Sequence, residues 1–128
     1  INREDDSILE NRRIINNNEV KNLLINNGFK IVSLSNHSFK DQVKMFNNAQ
    51  FIVGLHGAGF ANLVFSKPNT KVIELSSKHS GNIFHYLAKR CQLDYKRLVD
   101  SKSQLFKHQD NPIMIDLKKL KKLILSSN

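Results

Sequence analysis

The sequence predicts an α/β fold, a parallel sheet with helices on both faces. Three observations carry that reading. Short apolar runs rich in β-branched residues alternate with segments whose apolar residues recur at helical spacing. The run "QFIVGL" (50–55) breaks into glycines and passes directly into a helical pattern, as a strand does when it feeds a crossover. The following run, "KVIELS" (71–76), is as apolar and β-branched as the first, which suits strands buried on both faces.

The elements follow in order. Residues 1–3 read as a strand end and 4–11 as a polar loop. Asn16 or Asn17 caps a helix that carries Val20, Leu23 and Leu24 on one face and stops at Gly28. "FKIVSL" (29–34) reads as a buried strand. Ser38 and Asp41 have capping-box spacing, and Phe39, Val43 and Phe46 then recur at i, i+4, i+7. Strands at 50–55 and 71–76 flank a short helix over about 59–65. Residues 82–92 form another helix with Ile83, Leu87, Ala88 and Cys91 inward. "DYKRLV" (94–99) is a fourth short strand, and 102–112 is loop. Asp116 caps a last helix bearing Leu117, Leu120 and Ile124.

Composition bounds the class. The chain has 128 residues, enough for one domain or part of a larger one, and it opens on Ile1, as a fragment of a longer protein would. No apolar run approaches the roughly 18 residues that suggest a membrane span. A single cysteine, Cys91, excludes an internal disulfide framework and reads as a small core residue. The formal charge of +9 invites a nucleic-acid reading, but lysine supplies 15 of the 20 basic residues and asparagine is also abundant. The charge is dispersed: four lysines and one acid over 116–122 give +3, and the other +6 is spread along the chain. No arginine-rich stripe with interleaved aromatics is present, so no nucleic acid is expected as partner. Anionic small molecules or acidic lipid suit the charge better.

The chemistry concentrates in "GLHGAGF" (54–60), which follows a strand and opens a helix. In open parallel sheets, ligands bind at the carboxyl ends of the strands. Gly57 and Gly59 allow positive φ and close approach of the backbone to a bound group. The first amides of the helix, at Gly57, Ala58 and Gly59, then face that group, and the helix dipole favours an anion. A phosphate or diphosphate fits. His56 adds a donor that becomes cationic beside an anion. Glu74 closes the next strand, 20 residues after Gly54, where a nucleotide-binding sheet places a carboxylate for ribose hydroxyls. Asn62, one turn into the helix, reaches the same crevice. A plain structural turn is the competing reading of the glycines. The string also resembles an esterase oxyanion loop, but no Gly-x-Ser-x-Gly elbow follows it, which excludes that chemistry.

These residues sit in a longer pattern. "INR" at 1–3, "RRIINNNEV" at 12–20, "GF" at 28–29, "QVKMFNNAQFIVGLHGAGFANLVF" at 42–65, "KVIEL" at 71–75 and "YLAKRCQLDY" at 86–95 together resemble glycosyltransferase family 61. The family includes bacterial capsular polysaccharide enzymes, plant xylan-decorating transferases and O-linked N-acetylglucosamine transferases. The resemblance runs from Ile1 to about Leu120, and the block at 42–65 is its specific part. Asn17 stands where the family usually has Glu, and Asn2 where it often has Ser.

The resemblance implies a GT-B architecture, two Rossmann-like domains facing across a cleft, with this chain as the C-terminal, donor-binding half. It implies inverting transfer from a nucleotide-sugar donor to a glycan or protein acceptor, without an essential metal or other cofactor. The sequence has no Asp-x-Asp motif, and Asp5-Asp6 sits in a polar loop. On this reading Arg3, His56 and the amides of Gly57, Ala58 and Gly59 stabilise the leaving diphosphate, with Glu74 at the ribose. Arg12 or Arg13 also approaches the phosphates. The general base lies in the missing N-terminal domain, with His56 as the alternative, so the fragment alone binds nucleotide without catalysing. A non-catalytic basic module binding nucleotide or nucleic acid through the same loop is the alternative function.

The remaining candidates have plainer readings. His85, beside Phe84 and Tyr86, is a half-buried structural residue; His37, His79 and His108 lie in loops without metal-ligand spacing. Residues 77–81 are a turn or a cover for base or ribose. Asn36 heads a glycosylation sequon. The helix bearing Lys118, Lys119, Lys121 and Lys122 presents either a solvated face or a peripheral membrane contact. Lys, Asn and Ile bias with no cysteine pair points to a cytoplasmic enzyme at the inner membrane face, or to the Golgi or ER lumen in a eukaryote.

Overall fold

The computed structural model describes residues 14–78, 80–101 and 112–126. The strand end expected at 1–3 and the loop at 4–11 lie outside them, as does the loop expected over 102–112 except for Pro112. Among the described residues are four α-helices and three strands: α1 (Asn17–Asn26), α2 (Phe39–Asn48), β1 (Phe51–Leu55), β2 (Lys71–Ser76), α3 (Ile83–Arg90), β3 (Asp94–Val99) and α4 (Leu117–Ser126). Two 3-10 helices, Leu34–Asn36 and Ala58–Phe65, complete the order.

The strands form one parallel sheet in the order β1-β2-β3. Register is continuous, with Gly54 opposite Glu74 and Glu74 opposite Arg97. Alternation then sorts the side chains. Val53, Ile73, Leu75 and Leu98 pack with Val20 and Leu24 of α1, Leu120 and Ile124 of α4, and Ile113 and Ile115. Ile52 and Val72 pack on the other side with Phe46 of α2, Phe60 and Leu63 of the longer 3-10 helix, and Phe84 of α3. Helices therefore cover both faces, as the apolar run of β2 requires.

Local signals explain the boundaries. The Ser38 hydroxyl accepts from the Asp41 amide at 3.1 Å and starts α2. The Asp116 carboxylate accepts from the Lys118 and Lys119 amides at 3.0 and 3.2 Å and starts α4. Gly28, at φ +89°, lets the chain leave α1. Asn16 precedes α1 but makes no side-chain cap. Its amide instead clasps the backbone of Ile115, donating to the carbonyl at 2.8 Å and accepting from the N–H at 3.0 Å. That pair joins α1 to the segment before α4, 99 positions along the chain.

Several expectations are corrected. Residues 29–34, expected as the first of four strands, are not a strand: 29–32 run without regular pairing and 34–36 close into a 3-10 turn. The apolar side chains are satisfied by packing at the β1 edge, where the Phe29 ring meets Phe51 edge-on at 5.1 Å. The Gln42 amide holds the turn by donating to the carbonyls of Leu34 and His37 at 2.8 and 3.1 Å. The helix after β1 is 3-10 rather than α, and its buried residues, Phe60 and Leu63, stand three apart, one 3-10 turn. In α3 Ile83 points outward, 64% exposed, and Phe84 takes the inward place. Phe39 is likewise exposed, touching Phe65 edge-on.

Candidate functional site

The face of the sheet that carries Ile52 and Val72 changes character toward the strands' carboxyl ends. Alternation brings Gly54 and His56, Glu74 and Ser76, and Tyr95 and Arg97 onto it. The His56 amide donates to the Leu75 carbonyl at 2.8 Å, which extends the ladder by one residue beyond β1. His56 is thus placed by sheet geometry and not by a free loop. Gly54 carries no side chain opposite Glu74.

Glu74 is the centre of the group. Its side chain is 1% exposed, against 12% for His56. Oε2 meets His56 Nδ1, and Oε1 accepts from the Tyr95 hydroxyl. Both oxygens are engaged by neighbouring side chains. The structure therefore uses Glu74 to orient His56, where the sequence suggested a carboxylate open to ribose. With Nδ1 turned to the carboxylate, Nε2 is the nitrogen left for a ligand. The imidazole is held from its side by the Phe84 ring, edge-on at 5.0 Å. The Tyr95 phenol is raised above its usual range, chiefly by burial and then by its bond to Glu74 and that group's charge; Arg97 offsets part of this.

Arg97 braces the loop that follows β2. Its Nε donates to Ser76 Oγ at 2.6 Å and its Nη1 to Asn82 Oδ1 at 2.9 Å. Its Nη2 donates to the carbonyls of Ser77 and Ser80 at 3.1 and 2.9 Å. One guanidinium fork thus spans the loop from end to end. Ser80 Oγ is buried there without a hydrogen-bond partner among the described residues.

The glycine loop is placed as expected, but two of its reasons change. Gly57 is extended, at φ 166° and ψ 179°, so positive φ is not what it supplies. Gly59 lies against the turn at 34–36: a Cβ there would come 2.9 Å from Leu34 Cδ1. Ala58 begins the 3-10 helix, whose second N–H after it, that of Phe60, already donates to the Gly57 carbonyl at 3.0 Å. Asn62 donates to Gln42 Oε1 at 3.0 Å and ties this helix to α2. Arg3, Arg12 and Arg13 fall outside the described residues, as do His79 and His108. His85 is exposed rather than half-buried; its ring lies edge-on to Tyr95 at 5.2 Å. Among the described residues no three His, Cys, Asp or Glu side chains gather as metal ligands, and no helix is long and apolar enough to cross a membrane.

Sequence reading missed Tyr95 and Arg97. Their signal was available: two polar side chains at i, i+2 on one face of a parallel strand, where a two-sided apolar run is the norm.

A profile described as Glycosyltransferase 61 matches residues 1–73, more than half of the chain. The chain belongs to glycosyltransferase family 61. It is similar to the Arabidopsis thaliana protein named beta-1,2-xylosyltransferase, 38% identical over 63 residues, which cover 48% of this chain and 12% of that protein. It is also similar to the EGF domain-specific O-linked N-acetylglucosamine transferases of Canis lupus familiaris and Bos taurus. Each is 31% identical over 94 residues, covering 70% of this chain and 16% of the relative. The chain therefore spans only 12% to 16% of the length of these curated relatives. No solved structure matches it. The family match takes in the whole glycine loop and His56 but ends one residue short of Glu74.

Proposed function

We propose that this chain is the donor-binding part of a family 61 glycosyltransferase of GT-B architecture. It binds a nucleotide-sugar and helps transfer the sugar, with inversion, to a glycan or protein acceptor. The observation that carries this reading is His56. It stands at the carboxyl end of β1, two residues before the 3-10 helix, backed by a buried carboxylate at Nδ1, which leaves Nε2 as the nitrogen for a ligand. Such an imidazole donates to a diphosphate through Nε2 while Glu74 balances the imidazolium charge. The amides of Gly57, Ala58 and Gly59 add neutral donors on the same side, and Arg3, with Arg12 or Arg13, supplies further charge. With Glu74 committed to His56, the ribose hydroxyls fall to the Arg97-braced loop. Lys118, Lys119, Lys121 and Lys122, exposed on α4, face an acidic membrane surface or solvent.

The same Glu74–His56 pair favours a second role for the histidine. A carboxylate at Nδ1 equips Nε2 to accept a proton, as the general base toward the acceptor hydroxyl. The two roles separate in binding. A donor-stabilising His56 strengthens binding of the nucleoside diphosphate with no acceptor present; a base adds nothing to that affinity and acts only on the attacking acceptor, water included.

The test uses the intact protein and a panel of UDP-, GDP- and CDP-sugars. Release of one nucleoside diphosphate, undiminished by EDTA, with an inverted anomeric product by NMR, is the expected result. A retained anomer, or loss of activity with EDTA, contradicts the mechanism. No release from any donor contradicts the assignment.

A further inference from the structure

The buried carboxylate raises a question the donor reading leaves open. A Glu side chain 1% exposed, on the sheet face that carries Ile52 and Val72, is costly unless its oxygens are satisfied. His56 takes one oxygen and Tyr95 takes the other. Tyr95 stands on β3, two places before Arg97 on the same face, and reaches diagonally across to β2. It touches Glu74 through its hydroxyl.

We propose that Tyr95 is the positioning residue of this site, setting the charge and aim of His56 through Glu74. The proposal rests on His56 being the ligand-facing group. It goes beyond that reading by giving the hydroxyl of β3 a role in how strongly His56 binds an anion. A phenol donating to Oε1 draws carboxylate charge away from Oε2 and fixes the rotamer that meets Nδ1. Remove the hydroxyl and Glu74 concentrates its charge on the imidazole, which then holds its proton more firmly. Neutralise Glu74 and the imidazole gives its proton up more easily. The two substitutions act in opposite directions on His56, which no loss of packing would do.

Among the described residues, the charged and titratable groups around the pair come from three elements. Glu74 is on β2, Tyr95 and Arg97 are on β3, and His85 of α3 lies against the Tyr95 ring. Arg97 is directed into the loop by its four hydrogen bonds. His85 is exposed, so its charge is screened by solvent.

The experiment follows acylation of His56 by diethyl pyrocarbonate in the intact protein, from pH 5 to 8, with the modified peptide quantified by mass spectrometry. The reagent attacks neutral imidazole. The midpoint of the profile reports charge, and the plateau reports access. Tyr95→Phe keeps the ring and removes only the hydroxyl. At acidic pH its rate should fall by about two- to fivefold with the plateau unchanged, and Glu74→Gln should raise it. His85→Gln, as control, should leave the midpoint in place. If Tyr95→Phe superimposes on the wild type, or moves in the same direction as Glu74→Gln, the proposal is overturned. A changed plateau with an unmoved midpoint also overturns it, since that is a packing effect. None of these readings uses a nucleotide, so failure here is distinct from failure of the donor assignment.

Discussion

Replacing Arg97 by alanine tests the loop directly. The side chain makes four hydrogen bonds, to Ser76 Oγ, Asn82 Oδ1 and the carbonyls of Ser77 and Ser80. Bonds to a charged donor contribute about 1.5–3 kcal/mol each when a partner is left buried and unmet, and less where water can replace it. Asn82 is exposed and regains water. Ser76 and Ser77 are buried, and water replaces their bonds less easily. Since bonds made by one fork are not additive, a loss of about 2–4 kcal/mol is expected. Arg97→Lys keeps the charge but loses the planar fork, and should recover less than half. Urea unfolding of the intact protein measures the first number. Trypsin cleavage after Lys78, within the loop, measures local release; it should quicken in Arg97→Ala before global unfolding. A change below about 0.5 kcal/mol, the scale of an ordinary surface substitution, with unaltered cleavage would refute the bracing argument.

Four further substitutions probe the scaffold. Leu120→Ala, at a side chain 0% exposed between α4 and the sheet, should cost about 2–5 kcal/mol in denaturant unfolding. Ser38→Ala removes the α2 cap and should cost about 1 kcal/mol, read from the same transition. Gly28→Ala, at φ +89°, should cost about 1 kcal/mol or more although open space surrounds it. Gly59→Ala should cost less than the close 2.9 Å approach suggests, because the atom met is the tip of the flexible Leu34 side chain. A Gly59→Ala loss larger than that of Gly28→Ala would show that Leu34 cannot move aside, contradicting this expectation.

Much of the scaffold was legible. β1 and β2 fell where their β-branched runs lie, β3 fell at 94–99 as expected, and α2 and α4 began at the caps their sequences spell. What resisted reading depended on contacts remote in the chain. "FKIVSL" has the composition of a strand, yet pairing needs a partner edge, and packing on Phe51 satisfied it instead. Asn16 looks like a cap, but Ile115 offered its backbone a better two-sided match. For the site, the motif pointed to His56 and Glu74 but not to their bond. Residues 18 apart meet only because a crossover lays β2 beside β1 in one particular register. Tyr95 and Arg97 are further still, since their role appears only once β3 is placed next to β2.

The central claim is that His56 meets the diphosphate of a nucleotide donor through Nε2. Calorimetric titration of the intact protein with UDP, GDP and CDP, beside a His56→Ala variant of equal melting temperature, tests it most directly. The account predicts saturable binding of one diphosphate, weakened by about tenfold or more in the variant, as loss of a charge-assisted hydrogen bond entails. Equal affinity in both proteins, or no binding of any diphosphate to the intact wild type, would contradict it.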